Sequence, residues 1–377
     1  MHIVNRRNGY RQMKRNVLIF LSGMFIAVTL LVCCRQTVRV PPADMPFTCD
    51  VMLKHTPIKN QGNSEYCWVY AMLATIESEH IMQGDSINLS SAYVIRMMLR
   101  DEAVKYYFSK GKGNIVMRGM CSMLPALLEK HGIEAFDAFE DNNGLNCRVL
   151  CRKLMREANL NIAIRSGLQH LNARIDKILD DNMGYLPRTV FMLGAEYTPV
   201  EFAHSVCLPN EYLAFTSFTH HPFYRKFVLE VPDNRLNDAF MNLPIDSLMH
   251  TIELSLHRGH PVCWEGDISE KGFSFDRGIA VLPNESRQVT QQIRQRAFET
   301  LQTTDDHAME LVGMAHDKAG RKYFIAKNSW GTNNPYGGLI YLSYNYVKLK
   351  TIAVFLSKNA FDSRKNYILS LKNTKKN

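Results

Sequence analysis

The segment QGNSEYCWVYAML, Gln61 to Leu73, sets a cysteine directly in front of an apolar run with helical spacing. From Trp68 onward the apolar residues fall at positions 68, 69, 72, 73 and 76, which predicts a helix that ends near Gly84. Cys67 would then lie in the first turn of this helix, where the positive end of the helix dipole favours a thiolate. Thiolate is the nucleophilic form, so the segment predicts covalent catalysis. A buried structural thiol is the alternative interpretation.

A nucleophilic cysteine also needs a base, a group that orients the base, and donors for the oxyanion that forms during attack. Gln61 can direct its side-chain amide at the oxyanion, together with the backbone N–H of Cys67. His307 opens the strand-like run HAMELVGM and can serve as base and acid. Asn328 in AKNSWG can hold the imidazole, and Trp330 can shield the bond between Asn328 and His307 from water. The sequence therefore contains a candidate for each catalytic role.

Three segments that carry these residues resemble the active-site blocks of papain-like cysteine peptidases. They are NQGNSEYCWVYA around Cys67, DDHAMELVGM around His307 and AKNSWGTNNPYGG around Asn328. The order Gln, Cys, His, Asn matches that of the family, as does the spacing from Gln61 to Cys67. Cys67 and His307 are separated by far more than the roughly 130 to 150 residues of simple members. With the excess in the middle of the chain, the sequence is similar to the bleomycin hydrolase and aminopeptidase C branch.

The resemblance implies an α+β fold of two lobes, with a papain-like peptidase domain over residues 48–357 and an insertion in its centre. The local patterns agree with a helical first lobe and a strand-rich second lobe, which would enclose a cleft. CSMLPALLEKHGI predicts a helix stopped by Gly132. HAMELVGMAH and RKYFIAK predict strands joined by the turn DKAG, and GGLIYLS and TIAVFLS predict two more. The topology of residues 140–250 stays open.

On the substrate side, the segment RGMCSM, residues 118–123, aligns with the place where the family often has paired glycines that bind an extended peptide backbone. Gly119 remains, but Met120 follows it, so the resemblance implies that a side chain narrows the second subsite. Trp330 is the third residue expected to line the substrate site. Neither a metal nor a cofactor is implied. The run DDH before and at His307 would be an unusual metal site, because consecutive residues rarely converge on one ion.

The net charge of +9 is concentrated at the two ends of the chain. Residues 1–34 and the tail 358–377 are both strongly basic, whereas the residues between them are close to neutral. A neutral body has no electrostatic footprint for a polyanion, so nucleic acid is not an expected partner. Cys147 and Cys151 have the spacing of one helix face, and we interpret them as buried small hydrophobes because no ligand cluster accompanies them.

The first basic stretch is followed by VLIFLSGMFIAVTLLV, Val17 to Val32, which predicts export with residues 1–34 as a signal peptide. An uncleaved anchor and a buried helix are the alternatives. LLVCC resembles a bacterial lipobox with Cys34 as the acylated residue, which would make the protein a periplasmic or membrane-anchored lipoprotein. Residues 35–47 contain three prolines and predict an extended tether. Contact with a membrane is expected only through the lipid or anchor.

The residues and the resemblance together predict a thiol peptidase that acts on peptide substrates through an acyl-enzyme. A catalytically silent papain-like surface binding protein is the alternative. In the branch that the chain resembles, the protein's own C-terminus lies in the cleft and restricts cleavage to N-terminal residues, and an oligomer is possible. The basic tail here fits poorly with a carboxylate clamp, because its cations would repel a substrate ammonium. Aminopeptidase activity on short peptides is the prediction, and endopeptidase activity is its rival.

Overall fold

The computed structural model of the protein describes residues 46–141, 145–192 and 194–361, which belong to one compact unit beginning at Pro46. The predicted signal peptide (1–34), the lipidation site Cys34 and all but the last two residues of the tether (35–47) lie outside the described residues. Phe47, assigned to the tether, already opens a strand. Of the tail 358–377, Lys358–Phe361 forms a 3-10 helix and the remainder is not described.

Helices dominate the first half of the described chain. In chain order the α-helices are α1 Cys67–Gln83, α2 Ser91–Phe108, α3 Met123–His131, α4 Cys147–Ile164, α5 Leu168–Met183, α6 Pro199–Val206, α7 Ile245–His257, α8 Gln291–Glu299 and α9 Tyr344–Lys350. A short 3-10 helix covers Phe136–Ala138. Within these ranges, none of the helices combines the length and apolar character that crossing a bilayer requires.

Strands dominate the second half. They are β1 Phe47–Met52, β2 Val190–Met192, β3 Ala195–Tyr197, β4 Tyr212–Thr216, β5 Lys226–Val228, β6 Ala239–Asn242, β7 Val262–Gly266, β8 Phe273–Ser274, β9 Ile279–Ala280, β10 His307–Asp317, β11 Lys322–Lys327, β12 Leu339–Ser343 and β13 Thr351–Ser357. One sheet has the order β5-β6-β4-β13-β7-β10-β11-β12-β9-β8, with β1 paired to β10, and β2 and β3 form a separate hairpin.

Helix α1 confirms the prediction made from its apolar spacing. It ends at Gly84, whose φ of 109° is a left-handed conformation that glycine adopts without strain. Its side chains from Trp68 to Glu79 are buried on all sides, because α1 packs against β7 and β10 as well as against α2. A helix that is covered all round can be apolar all round. This packing holds Cys67 between the helical and strand-rich parts of the molecule.

The predicted strands of the second half are also confirmed. β10 and β11 form an antiparallel hairpin, and β11 continues to β12. β7 pairs antiparallel with both β10 and β13. The helix predicted to stop at Gly132 is present as α3. β1 was not predicted, and it pairs with β10, so the beginning of the described chain belongs to the strand-rich lobe.

The central insertion is built on the helical lobe and then crosses to the sheet. α4 and α5 pack on α2 with their apolar faces, and Arg96 Nη2 of α2 donates to Asp180 Oδ1 of α5 at 2.6 Å. Cys147 and Cys151 are both buried on α4, as predicted. The following segment supplies β4, β5 and β6, which extend the sheet beyond β13. The expected α+β fold with a helical lobe, a strand-rich lobe and an insertion is therefore confirmed.

Candidate active site

The candidate nucleophile lies at the junction of the two lobes. Cys67 is the first residue of α1, and the preceding Tyr66 provides no side-chain cap for the helix. Cys67 lines a cleft of about 520 Å³. Of the other residues named from the sequence, Gln61, Gly119, His307 and Trp330 line the same cleft. The first helical turn thus lacks a side-chain cap where it borders the cleft, which is an arrangement suited to binding negative charge.

His307 and Asn328 form a buried pair on neighbouring strand ends. His307 is the first residue of β10 and Asn328 directly follows β11. His307 Nε2 lies 2.8 Å from Asn328 Oδ1, and the same oxygen accepts from the backbone N–H of Ser329 at 2.8 Å. Because this oxygen is an acceptor, the imidazole proton resides on Nε2. Nδ1 is then left with a lone pair that can accept the proton of a thiol.

Trp330 covers this pair. Its ring centroid lies 4.8 Å from that of His307, with an angle of 38° between the planes. Phe273 and Phe275 contact Trp330 edge to face, with centroids 5.9 and 5.5 Å away. Three aromatic rings therefore separate the His307–Asn328 hydrogen bond from solvent on this side, and a hydrogen bond is stronger where water is excluded.

Gln61 is held by the chain segment that follows Asn328. Its backbone N–H donates to Ser329 O at 2.7 Å, and Ser329 Oγ donates to Gln61 Oε1 at 2.5 Å. Gln61 Nε2 donates to Ser64 O at 2.9 Å. An amide nitrogen carries two N–H donors, so one remains for an acceptor in the cleft. Ser329 was missed from the sequence, because its bond to Gln61 exists only after β11 and the segment before α1 come together.

Burial controls the protonation states of the candidate nucleophile and base. Burial raises the pKa of Cys67 to about 12, with Asp305 and Glu265 adding to the rise and the N–H groups of Ala308 and Trp68 opposing it. Burial also lowers the pKa of His307 to about 4, against the effect of its bond to Asn328. Burial therefore favours the neutral thiol and the neutral imidazole over their charged forms. Loss of hydration thus opposes the thiolate that the helix dipole would favour.

Gly119 and Met120 differ in where they lie. A Cβ on Gly119 would meet Met123 Sδ at 2.8 Å and Trp68 Cε2 at 3.1 Å, so a side chain here would require Met123 and Trp68 to shift. Met120 is fully buried in the core of the helical lobe and does not line the cleft. The expectation that Met120 narrows a subsite is therefore wrong. The side chain that enters the cleft from this segment is that of Arg118.

Arg118 meets a group of carboxylates that sequence reasoning missed. Asp233, Glu265, Asp305 and Asp306 line the cleft. Arg118 Nη2 donates to Asp233 Oδ2 at 2.6 Å and to the backbone O of Asp305 at 3.2 Å. Asp305 and Asp306 were visible beside His307 in the sequence. Asp233 and Glu265 had no local signal, because the insertion and β7 bring them to the cleft only in the folded chain.

The structure also brings together three potential metal ligands outside the cleft, His220, His221 and Glu230. Both histidines contact the carboxylate through Nε2, at 3.1 and 2.6 Å. Gln295 Oε1 accepts from Thr219 N, so its Nε2 is the group that donates to His220 Nδ1 at 2.9 Å. His220 then carries its proton on Nε2 and donates it to Glu230. A metal ligand would need the opposite tautomer, so this arrangement does not favour a metal.

Known proteins share sequence or fold with this chain. A sequence profile of the Peptidase C1-like family matches residues 186–373. Aminopeptidase G of Lactobacillus delbrueckii subsp. lactis is 24% identical over 193 residues, which cover 48% of this chain and 43% of that protein. The matched part thus spans less than half of the length of this relative. PepW from Lactobacillus rhamnosis HN001 has a similar fold, with a TM-score of 0.62 over 87% of this chain and 86% of PepW, at 18% identity.

Helical and strand-rich lobes, with Cys67 and His307 on one cleft and Asn328 bonded to His307, define the chain as a papain-like cysteine peptidase. Within that class, residues 186–373 match the Peptidase C1-like family, and the similarity to Aminopeptidase G supports the aminopeptidase C branch.

Proposed function

We propose that this protein hydrolyses peptide bonds through an acyl-enzyme on Cys67, with His307 as acid and base. The main support is the arrangement of Cys67 and His307 on one cleft, with the Nε2 of His307 bound to Asn328 Oδ1 at 2.8 Å. This bond leaves Nδ1 of the imidazole free to accept a proton. A thiol nucleophile requires such a base to take its proton.

In the first half of the reaction, the thiol proton of Cys67 moves to His307 Nδ1 while sulfur attacks the carbonyl carbon of the substrate. Because burial disfavours both a thiolate and an imidazolium, the proton transfer accompanies the attack of sulfur on the carbonyl carbon. Gln61 Nε2 and the backbone N–H of Cys67 stabilise that oxygen. The tetrahedral intermediate then collapses, the C–N bond breaks, and His307 returns the proton to the departing amine.

In the second half, water attacks the thioester carbon and gives a proton to His307 Nδ1. The second intermediate expels the sulfur of Cys67, which takes the proton back, and the carboxylic acid product leaves. Asn328 holds the ring in the same orientation through both half-reactions. Its contribution is positional, because it bonds Nε2 and not the reacting atoms.

We further propose that the preferred substrates are short peptides with a free N-terminus. The similarity to a relative named Aminopeptidase G supports this choice. The carboxylates of Asp233, Glu265, Asp305 and Asp306, which line one wall of the cleft, also support it. Endopeptidase activity is the rival, and it would require a cleft that accepts substrate residues on both sides of the cleaved bond.

Labelling with a thiol-directed epoxide tests the function. We expect the wild-type protein to be labelled once, at Cys67, and to hydrolyse aminoacyl amides. Cys67→Ser should fold normally, lose the label and lose hydrolysis by several orders of magnitude, because serine does not supply a comparable nucleophile. Cys49→Ser is the matched control, since Cys49 is an exposed free thiol away from the cleft. Equal activity of wild type and Cys67→Ser would contradict the proposal, and absence of labelling and hydrolysis would favour a silent binding protein.

A further inference from the structure

One buried carboxylate of the cleft has no role in the proposed reaction. Glu265, on β7, is 1% exposed and lines the cleft. Its Oε1 accepts from the backbone N–H of Cys121 at 2.7 Å, whereas its Oε2 has no hydrogen-bond partner among the described residues. An unsatisfied polar atom is costly in a protein interior. Oε2 is therefore positioned for a donor that the described part of the chain does not supply.

A second carboxylate nearby also has a buried oxygen without a hydrogen-bond partner among the described residues. Asp305 lines the cleft, and its Oδ2 is buried without a hydrogen-bond partner among the described residues. Burial raises the pKa of Glu265 well above its usual range, and the charge of nearby Asp305 adds to the rise. Arg118 is the cation of this wall, but its guanidinium is engaged in three hydrogen bonds with the carboxylate of Asp233. Glu265 and Asp305 are thus left facing the cleft without an ion pair in the described ranges.

Both carboxylates are close to the nucleophile. Glu265 is the strand partner of Ala308, the residue after His307. Burial raises the pKa of Cys67, a hydrogen bond from the backbone of Ala308 lowers it, and the charges of Asp305 and Glu265 raise it further. In a substrate with a free N-terminus, only the Cα separates the ammonium nitrogen from the carbonyl carbon that Cys67 attacks. A receptor for that ammonium must therefore lie beside Cys67, as these two carboxylates do.

We propose that Glu265 Oε2 and Asp305 Oδ2 bind the α-ammonium group of the N-terminal residue of the substrate. This inference rests on the proposed peptidase function. It names the atoms that would give the enzyme its preference for substrates with a free N-terminus. An ammonium group offers three N–H donors and a positive charge, so it satisfies both orphaned oxygens with charge-assisted hydrogen bonds. An N-acylated substrate has neither the charge nor these donors. Burial raises the pKa of both carboxylates, and a bound ammonium favours their ionised form. The negative charge needed for N-terminal recognition then comes from Glu265 and Asp305, and the basic tail is not required for it.

The test compares an aminoacyl coumarin amide with its N-acetyl counterpart in the full-length protein. We expect Glu265→Gln and Asp305→Asn each to lower the ratio of kcat/KM for the free over the blocked substrate by roughly 10- to 100-fold, mainly through KM. Cleavage of the blocked substrate should not fall. Asp306→Asn is the matched control, because Asp306 also lines the cleft but its Oδ1 already accepts from Ile268 N. This variant should keep the wild-type ratio.

The outcomes separate this inference from the proposed function. If both variants keep the wild-type ratio and a native Tm, the inference is wrong while the peptidase function stands. If the wild type cleaves neither substrate, the proposed function fails, and binding of a free and an N-acetylated dipeptide amide to Cys67→Ala decides the inference separately. Tighter binding of the free dipeptide amide to Cys67→Ala, lost when Glu265→Gln is added to that variant, supports the inference. Equal binding of the two peptides overturns it.

Discussion

Ser329 Oγ donates to Gln61 Oε1 at 2.5 Å, so the residue after the imidazole-binding Asn328 also fixes the candidate oxyanion donor. The backbone of Ser329 accepts from Gln61 N–H at 2.7 Å, and its own N–H donates to Asn328 Oδ1. Asn328, Ser329 and Trp330 therefore position His307 and Gln61 together. The geometry of the base and of the oxyanion site is set by one short segment, and a change in this segment should affect both.

Ser329→Ala tests that coupling. Losing one hydrogen bond that orients Gln61 should lower kcat by about tenfold. Removing the donor itself in Gln61→Ala should lower kcat by roughly 10²- to 10³-fold. Steady-state kinetics on an aminoacyl amide measure both effects, with Ser205→Ala on α6 as a control for the serine substitution. A wild-type kcat in Ser329→Ala would show that Gln61 keeps its orientation without this bond.

Asn328 is expected to act on the base through its acceptor oxygen. Asn328→Ala leaves the buried Nε2–H of His307 without its partner and should reduce kcat by roughly 10- to 100-fold. Asn328→Asp keeps the acceptor and adds a negative charge, which stabilises imidazolium and should raise the pKa of His307 above its value of about 4. The acid limb of the kcat/KM profile should then move to higher pH. An unchanged limb in Asn328→Asp would contradict the role of this contact.

Asp305 should make stability depend on pH. Burial, reinforced by Asp233, raises its pKa from 3.8 to about 7 in the folded state. Between these values the folded protein binds more protons at Asp305 than the unfolded chain, so this residue favours folding below pH 4 and loses that effect as the pH rises to about 7. Asp305→Asn should therefore raise Tm more at pH 8 than at pH 5. Thermal unfolding at several pH values measures this difference, and the same shift at both pH values would refute it.

Local sequence patterns were sufficient where neighbouring residues determine structure. The spacing after Trp68 and the Gly84 stop predicted α1, and the hairpin of β10 and β11 followed from its turn residues. They were insufficient where distant segments meet. Met120 was assigned to the cleft although the core of the helical lobe buries it, and Glu265 reaches the cleft only because β7 pairs with β10. Periodicity specifies which face of an element is apolar, but not which element will cover it.

The N-terminal region leads to a prediction about location. We propose that the protein is exported, because a basic stretch precedes the apolar run Val17 to Val32. Intact-mass analysis of protein from its native host should show either a chain that begins after the signal or a chain that begins at a lipid-modified Cys34. Substituting Cys34 by Ser should remove the lipid mass and leave hydrolysis unchanged. A cytosolic chain that still starts at Met1 would be inconsistent with export.

The C-terminal tail distinguishes aminopeptidase activity from endopeptidase activity. Ala360 is buried and its carbonyl accepts from Arg258 Nη1 at 2.6 Å, so a truncation must retain the 3-10 helix that ends at Phe361. If the cleft-wall carboxylates recognise the substrate ammonium, removing residues 362–377 should preserve the preference for free aminoacyl amides over N-blocked peptides. If the tail instead blocks the cleft, the truncated enzyme should gain activity on blocked peptides. Cleavage of blocked and free peptides at equal rates by the full-length enzyme would exclude the aminopeptidase preference altogether.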